Sequence, residues 1–243
     1  MSSTKPDFVS PPPDESAAKS GPSTPIGALI DSISDDDDRL PKRPFQWLAL
    51  MAASALVGVF AGLLGGGFRL VLTWLDAVRT AMLLFAHSHF PVWAGWLMPT
   101  ALCSLGAAAG SWLTQRLAPQ TAGSGIPRVE AVLRTHLRPA KGNILLVKFV
   151  GGALSIGSGL ALGREGPTVQ MGGTIGRIVS DMLRRLVAEP WTLIAAGAGA
   201  GLAVAFNAPL AAVLFVVEEL LHRFSARVFT ATLVSCITGT VVL

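Results

Sequence analysis

The chain has 243 residues, of which 51% are hydrophobic and 14% charged, and its mean hydropathy is positive. A soluble domain of this size carries far more charge, so the composition excludes an ordinary soluble globular protein. The net charge of +4 does not indicate nucleic-acid binding, because the bases are scattered between apolar runs instead of forming a patch.

Residues 1–43 hold eight acids against five bases, a triple proline and the run Asp35 to Asp38. That composition predicts a disordered, solvated tail. No cleavable signal is expected, since the first apolar run starts only near Pro44. Lys42 and Arg43 precede that run and predict a cytoplasmic amino terminus. Four stretches then lack Asp, Glu, Lys and Arg: 44–68, 80–115, 190–217 and 228–243. The first three are long enough for the ~20 residues that cross a bilayer. Residues 44–243 therefore predict an all-α, polytopic membrane protein embedded in a lipid bilayer.

The first span is predicted over 44–75. Gly65-Gly66-Gly67 within it predicts close approach of a neighbouring helix, and Arg69 and Asp76 pair with each other or reach an interface. The stretch AHSHFP (86–91) predicts a loop. Its His87 and His89 lack a third ligand nearby and make a poor metal site. A second span is predicted over 91–113. Cys103 and Cys236 lie in apolar runs and suggest neither a disulfide framework nor a metal.

After Ala118 the segment TAGSGIPRVEAVLRTHLRPAKGN is too polar to span, and a short amphipathic stretch follows GSGIP. An apolar piece over 144–162 contains Lys148, which is expected to snorkel. Next come GREGP, a segment over 168–183 closed by Arg184 and Arg185, and a span over 190–206. Asn207-Ala208-Pro209 breaks that span, and a further helix runs to Leu221. The last apolar run, 228–243, has sixteen residues. As a helix it rises only ~24 Å, short of the ~30 Å hydrocarbon core, so a truncated protein or fragment is expected.

Three segments share one design: GSGIP (123–127), GREGP (163–167) and FNAP (206–209) each place a chain break and a proline at a helix start. Proline suits the first turn, where its missing N–H costs nothing. The first turn also has unpaired donors and about half a positive charge. Broken helices at membrane depth occur where they line a cavity, and their amino termini suit anions. Two readings fit: an anion site, to which Ser124 adds a hydroxyl, or breaks that only shape re-entrant helices.

Glu165 bears on that choice. A carboxylate preceding a helix amino terminus is an internal anion and occupies the place of an external one. Deprotonated it competes; protonated it loses its attraction and can leave, which couples proton and anion occupancy. The alternative is a helix cap or an Arg164–Glu165 pair. Glu218 and Glu219 point about 100° apart on a helix. They reach His222 and Arg223 at i,i+4, or one of them admits protons from the aqueous side. Gly197-Ala198-Gly199-Ala200-Gly201 misses the spacing of a dinucleotide loop and follows no strand, so close helix packing is expected there. No hydrolase elbow or catalytic triad is visible, and no enzymatic activity or cofactor is expected.

At these motifs the sequence is similar to the ClC family of chloride channels and proton/chloride exchangers. The likeness rests on GSGIP at 123–127, Lys148 in VKFVGG, LGREGPTVQMGG at 162–173 and AGAGAGLAVAFNAPLAAVLFVVEE at 196–219, in matching order and spacing. The resemblance implies a homodimer with one anion pathway per subunit, each subunit being built from two inverted halves. It implies that Ser124, with Gly123, Gly125, Ile126 and Pro127 of the same motif, binds the central chloride. Gly163, Arg164 and Gly166 would shape the neighbouring site. Glu165 would be the gate that carries the proton, and Glu219 the internal proton glutamate typical of exchangers. Segments near 208–221 and 228–243 would form part of the dimer interface. Chloride and protons are the species moved, and serine at 124 favours chloride over the nitrate and fluoride preferences of some relatives. Arg128 departs from the acidic residue common after GSGIP.

The family's second half should bring a GxFxP helix start and a chloride-binding tyrosine, yet this chain has no tyrosine. The resemblance therefore covers the first repeat, and normal transport by this polypeptide alone is not expected. Proton-coupled chloride exchange by the intact protein leads, with a voltage-gated chloride channel as the alternative. A truncated, non-transporting subunit that pairs with a full-length one is the reading from another class.

Overall fold

The computed structural model describes residues 44–135, 143–187, 189–222 and 224–243. The expected disordered tail, with Lys42 and Arg43, lies outside the described residues, as does Arg223. In chain order the elements are α1 (Pro44–His89), α2 (Val92–Leu117), a 3₁₀ turn (Pro119–Thr121), α3 (Ile126–Thr135) and α4 (Asn143–Gly157). They continue with α5 (Glu165–Met182), α6 (Pro190–Phe206), α7 (Pro209–Phe215), a π-helical turn (Val216–Leu221) and α8 (Ala226–Val242). The described residues are thus all-α, as the composition predicts.

Each break follows from the residues at it. Asn207 takes the left-handed conformation with φ 55° and ends α6, and Pro209 begins α7. His222, at φ 55°, ends the π turn. Gly159, at φ 89°, follows α4 and turns the chain into an irregular run that leads to α5.

Two expectations in the first span are corrected. AHSHFP is not a loop; α1 runs through His89. His87 Nδ1 lies 2.9 Å from the Leu83 carbonyl and His89 Nδ1 3.1 Å from the Phe85 carbonyl. Both rings bond back to backbone carbonyls one turn earlier in their own helix, which satisfies the imidazoles without a loop. Asp76 pairs with Arg79, one turn on, and not with Arg69. Arg69 is two turns away, beyond the i,i+3 and i,i+4 range.

The Gly65-Gly66-Gly67 expectation holds only in part. A Cβ at Gly65 would crowd Val204, but nothing lies within 4 Å of one at Gly67. The close backbone approach of α1 is at Gly58 and Gly62, against Ser235 and Gly239 of α8.

The core is centred on α6, which packs on α5, α8 and α1. Thr192 through Ala205 are all buried, so α6 is apolar all round because it is surrounded. The outer surface is also apolar: Leu70, Trp74, Trp96, Leu97 and Val241 are each at least 60% exposed. Apolar surface on that scale needs a non-aqueous environment. The first helix, α1, is long and apolar enough to cross a membrane, while α4, α6 and α8 are shorter apolar helices. The long charge-free run over 190–217 is therefore not one span; it is divided at Asn207.

Candidate functional site at the GSGIP and GREGP helix starts

Four parts of the chain meet around one cavity of about 470 Å³. Gly123, Ser124 and Ile126 come from the start of α3, and Gly163, Glu165 and Gly166 from the start of α5. Lys148 and Gly152 come from α4, and Ser111 and Thr114 from α2. The two motifs touch through their backbones. A Cβ built on Gly166 would fall 3.0 Å from Ser124 Cα and would overlap the Ser124 carbonyl. A side chain there would drive the two helix starts apart.

Both helix starts leave donors open. Val129 N donates to the Gly125 carbonyl at 3.1 Å and Thr168 N to the Arg164 carbonyl at 3.3 Å, which closes each first turn. Ahead of those bonds, Pro127 and Pro167 have no N–H. The N–H groups of Ile126 on α3 and of Glu165 and Gly166 on α5 have no intrahelical partner. They add to the positive ends of two helix dipoles beside the cavity.

Glu165 is the first residue of α5, not a residue ahead of it. The side chain is half-buried, and its carboxylate folds back over Gly163, at the place a Cβ of that residue would occupy. Glycine at 163 is what makes room for it. Arg164 is exposed, and the Arg164–Glu165 pair is not among the described ion pairs.

Lys148 corrects the snorkelling expectation. It is 5% exposed, and its Nζ donates to the carbonyls of Thr121 at 2.8 Å and Gly123 at 2.7 Å. Buried polar groups need such partners. The lysine ties α4 to the segment that carries Ser124 and brings a basic group to the cavity wall. The signal was in the sequence, as a lone lysine in an apolar run, but its partners lie 25 and 27 residues away.

Of the other sequence-named residues, Gly125, Pro127 and Arg164 stand beside the cavity lining and not in it. Gly125, at φ 93°, backs onto the buried side chain of Gln170, a residue that sequence reasoning passed over. Phe206 and Asn207 are exposed and line other surface. Glu218 and Glu219 are exposed on the π turn, which packs against α3. The expected Glu218–His222 pair does not form: the π turn has more residues per turn than an α-helix, and His222 leaves it. The Glu219–Arg223 pair lies outside the described residues.

The sequence model of the family described as "Voltage gated chloride channel" matches residues 105–243, more than half of the chain. The chain belongs to this family. Its match to H(+)/Cl(-) exchange transporter ClcA of Cronobacter sakazakii is 44% identical over 198 residues, 78% of this chain and 42% of that protein. For ClcA of Citrobacter koseri the identity is 42% over 207 residues, covering 82% and 43%. The chain thus spans less than half the length of these curated relatives.

Among solved structures, a slow cyanobacterial Cl⁻/H⁺ antiporter superposes with a TM-score of 0.75 at 37% identity, over 80% of this chain and 46% of that one. A CLC-type fluoride/proton antiporter gives 0.68 at 28% identity, over 83% and 48%. The described helices therefore have the all-α fold of CLC-family membrane proteins, and the family assigns this chain to multi-pass integral membrane proteins.

Proposed function

We propose that this chain supplies half of the ion pathway of a proton-coupled chloride exchanger. One observation carries the reading: a single cavity gathers two helix amino termini, Ser124, Lys148 and Glu165. Open N–H groups and a hydroxyl suit a small anion that sheds its water. A carboxylate in the same cavity competes with that anion, and protonation releases it. The relatives carry the name H(+)/Cl(-) exchange transporter, which agrees with this chemistry.

In this reading Gly123, Ser124, Gly125, Ile126 and Pro127 form the chloride-binding loop, and Gly163, Arg164 and Gly166 shape the site next to it. Glu165 is gate and proton carrier, and Glu219 receives protons from the opposite aqueous side. Exposure of Glu219 supports that entry role. Residues 44–243 act as the transmembrane unit, and 1–43 as a cytoplasmic tail. The working form is a homodimer in the cell membrane. Exposed Leu210 and Leu214 on α7, and Ile237 and Val241 on α8, support an interface along these helices.

The test is chloride-driven proton movement in proteoliposomes of the whole protein to which this chain belongs. Uphill proton uptake on imposing a chloride gradient is expected. The family description favours a chloride channel as the second reading, and Glu219→Gln separates the two. An exchanger with that substitution should lose at least about 90% of its proton movement while chloride still flows. Chloride flux that never carries protons, in wild type and variant alike, indicates the channel.

A further inference from the structure

Gln170 stands five residues along α5 from Glu165 and is 3% exposed. Its side chain leaves its own helix for a segment fifty residues earlier, where Nε2 donates to the Gln120 carbonyl at 3.2 Å. The same side chain packs over Gly125. Gln170 Cβ and Cδ lie 2.9 and 3.0 Å from where a Gly125 Cβ would stand. Gln170 therefore holds both ends of the 120–125 segment, and Ser124 lies between its two contacts.

That segment needs holding. Gly123 and Gly125 have φ of +78° and +93°, a region that glycine enters freely and that gives the loop little rigidity of its own. Other groups help from different sides: Lys148 holds the carbonyls of Thr121 and Gly123, and Arg128 Nη2 donates to Gln120 Oε1 at 3.1 Å. Gln170 differs because it comes from the helix that begins with Glu165. Its own Oε1 is buried and finds no hydrogen-bond partner among the described residues. A buried amide left half satisfied costs stability, and such a group calls for an explanation.

We propose that Gln170 is a positioning residue that sets the anion preference of the Ser124 site. The inference rests on the reading of Ser124 as a chloride ligand. Donors discriminate between anions of different size only when they are fixed before the anion arrives. A loop that can relax adapts its donors to a larger, planar anion as well as to a compact one. Gln170 keeps the loop in one conformation and so keeps the cradle small.

The experiment compares Gln170→Met and Gln170→Ala with wild type in proteoliposomes of the whole protein. Chloride and nitrate fluxes and proton coupling are measured on each. Methionine keeps the length and packing but cannot donate to the Gln120 carbonyl. The chloride-over-nitrate flux ratio should fall about fivefold for methionine, as expected for one lost buried hydrogen bond, and further for alanine. Coupling through Glu165 should persist. If alanine prevents assembly, the methionine variant carries the test. An unchanged ratio overturns the inference, and so does an equal fall in both fluxes, which is the mark of a merely structural role. Wild-type protein that moves no chloride overturns the proposed function itself, and this inference with it.

Discussion

Glu165→Gln should abolish chloride-driven proton movement while leaving chloride flux in place. The amide keeps the size of the carboxylate and still fits over Gly163, where the missing Cβ leaves room. What it loses is the ability to ionise. A carboxylate at the first position of α5 is attracted by roughly half a positive charge at the helix end and by open N–H groups. A neutral amide is attracted far less and cannot carry a proton. Two measurable effects follow. Proton uptake falls to background, and chloride affinity rises by about tenfold or more, since a charge-assisted competitor worth roughly 1.5–3 kcal/mol is gone. Proton flux and isotopic chloride flux on the same proteoliposomes give the first; calorimetric titration with chloride gives the second. Proton movement at wild-type rates in this variant would remove Glu165 from the mechanism. Unchanged chloride affinity would mean that the side chain does not compete for the anion.

The helix starts were legible because their signals are local. Proline after glycine or asparagine marks a first turn by sterics alone, and α3, α5 and α7 begin within three residues of the expected places. The same local logic singled out Glu165 and Ser124 in apolar surroundings, and both line the same cavity. It failed where the deciding partner is distant in sequence. Lys148 looks like any interfacial lysine until the Thr121 and Gly123 carbonyls are seen against it. Gln170 looks like a polar residue in a helix until its amide is found on the Gln120 carbonyl. His87 and His89 misled for the opposite reason. Polar residues usually mark loops, but here their rings bond back onto carbonyls of the helix that they end. The π turn that exposes Glu218 and Glu219 has no sequence signature in VVEE, so the α-helical i,i+4 pairings assumed for it did not apply.

Gly197→Leu should prevent native assembly, and Gly197→Ala should weaken it. The reason lies in how α5 meets α6. A Cβ at Gly197 would overlap the Gly172 carbonyl, one at Gly172 the Gly197 carbonyl, one at Gly176 the Leu193 carbonyl, and one at Gly201 the Thr168 carbonyl. The obstacles are backbone atoms in two buried helices, so no side chain can swing aside. In lipid, helices gain little from hydrophobic burial and associate through close packing of small residues, and the four glycines supply that packing. Alanine should cost about 1–3 kcal/mol by overpacking. Leucine should eliminate most of the monodisperse species in detergent size-exclusion chromatography. The control is Gly67→Ala. Gly67 is also helical, but nothing lies within 4 Å of its added Cβ. Alanine there should leave assembly intact and raise thermal stability by up to about 1 kcal/mol through helix propensity. Equal behaviour of the alanine variants at 67 and 197 would contradict the α5–α6 contact. On the proposed function the contact also matters for the ions, because α5 carries both Glu165 and the Gly166 backbone that rests on Ser124. A Gly197→Ala protein that still assembles should therefore show weaker chloride binding than wild type, although position 197 does not line the cavity.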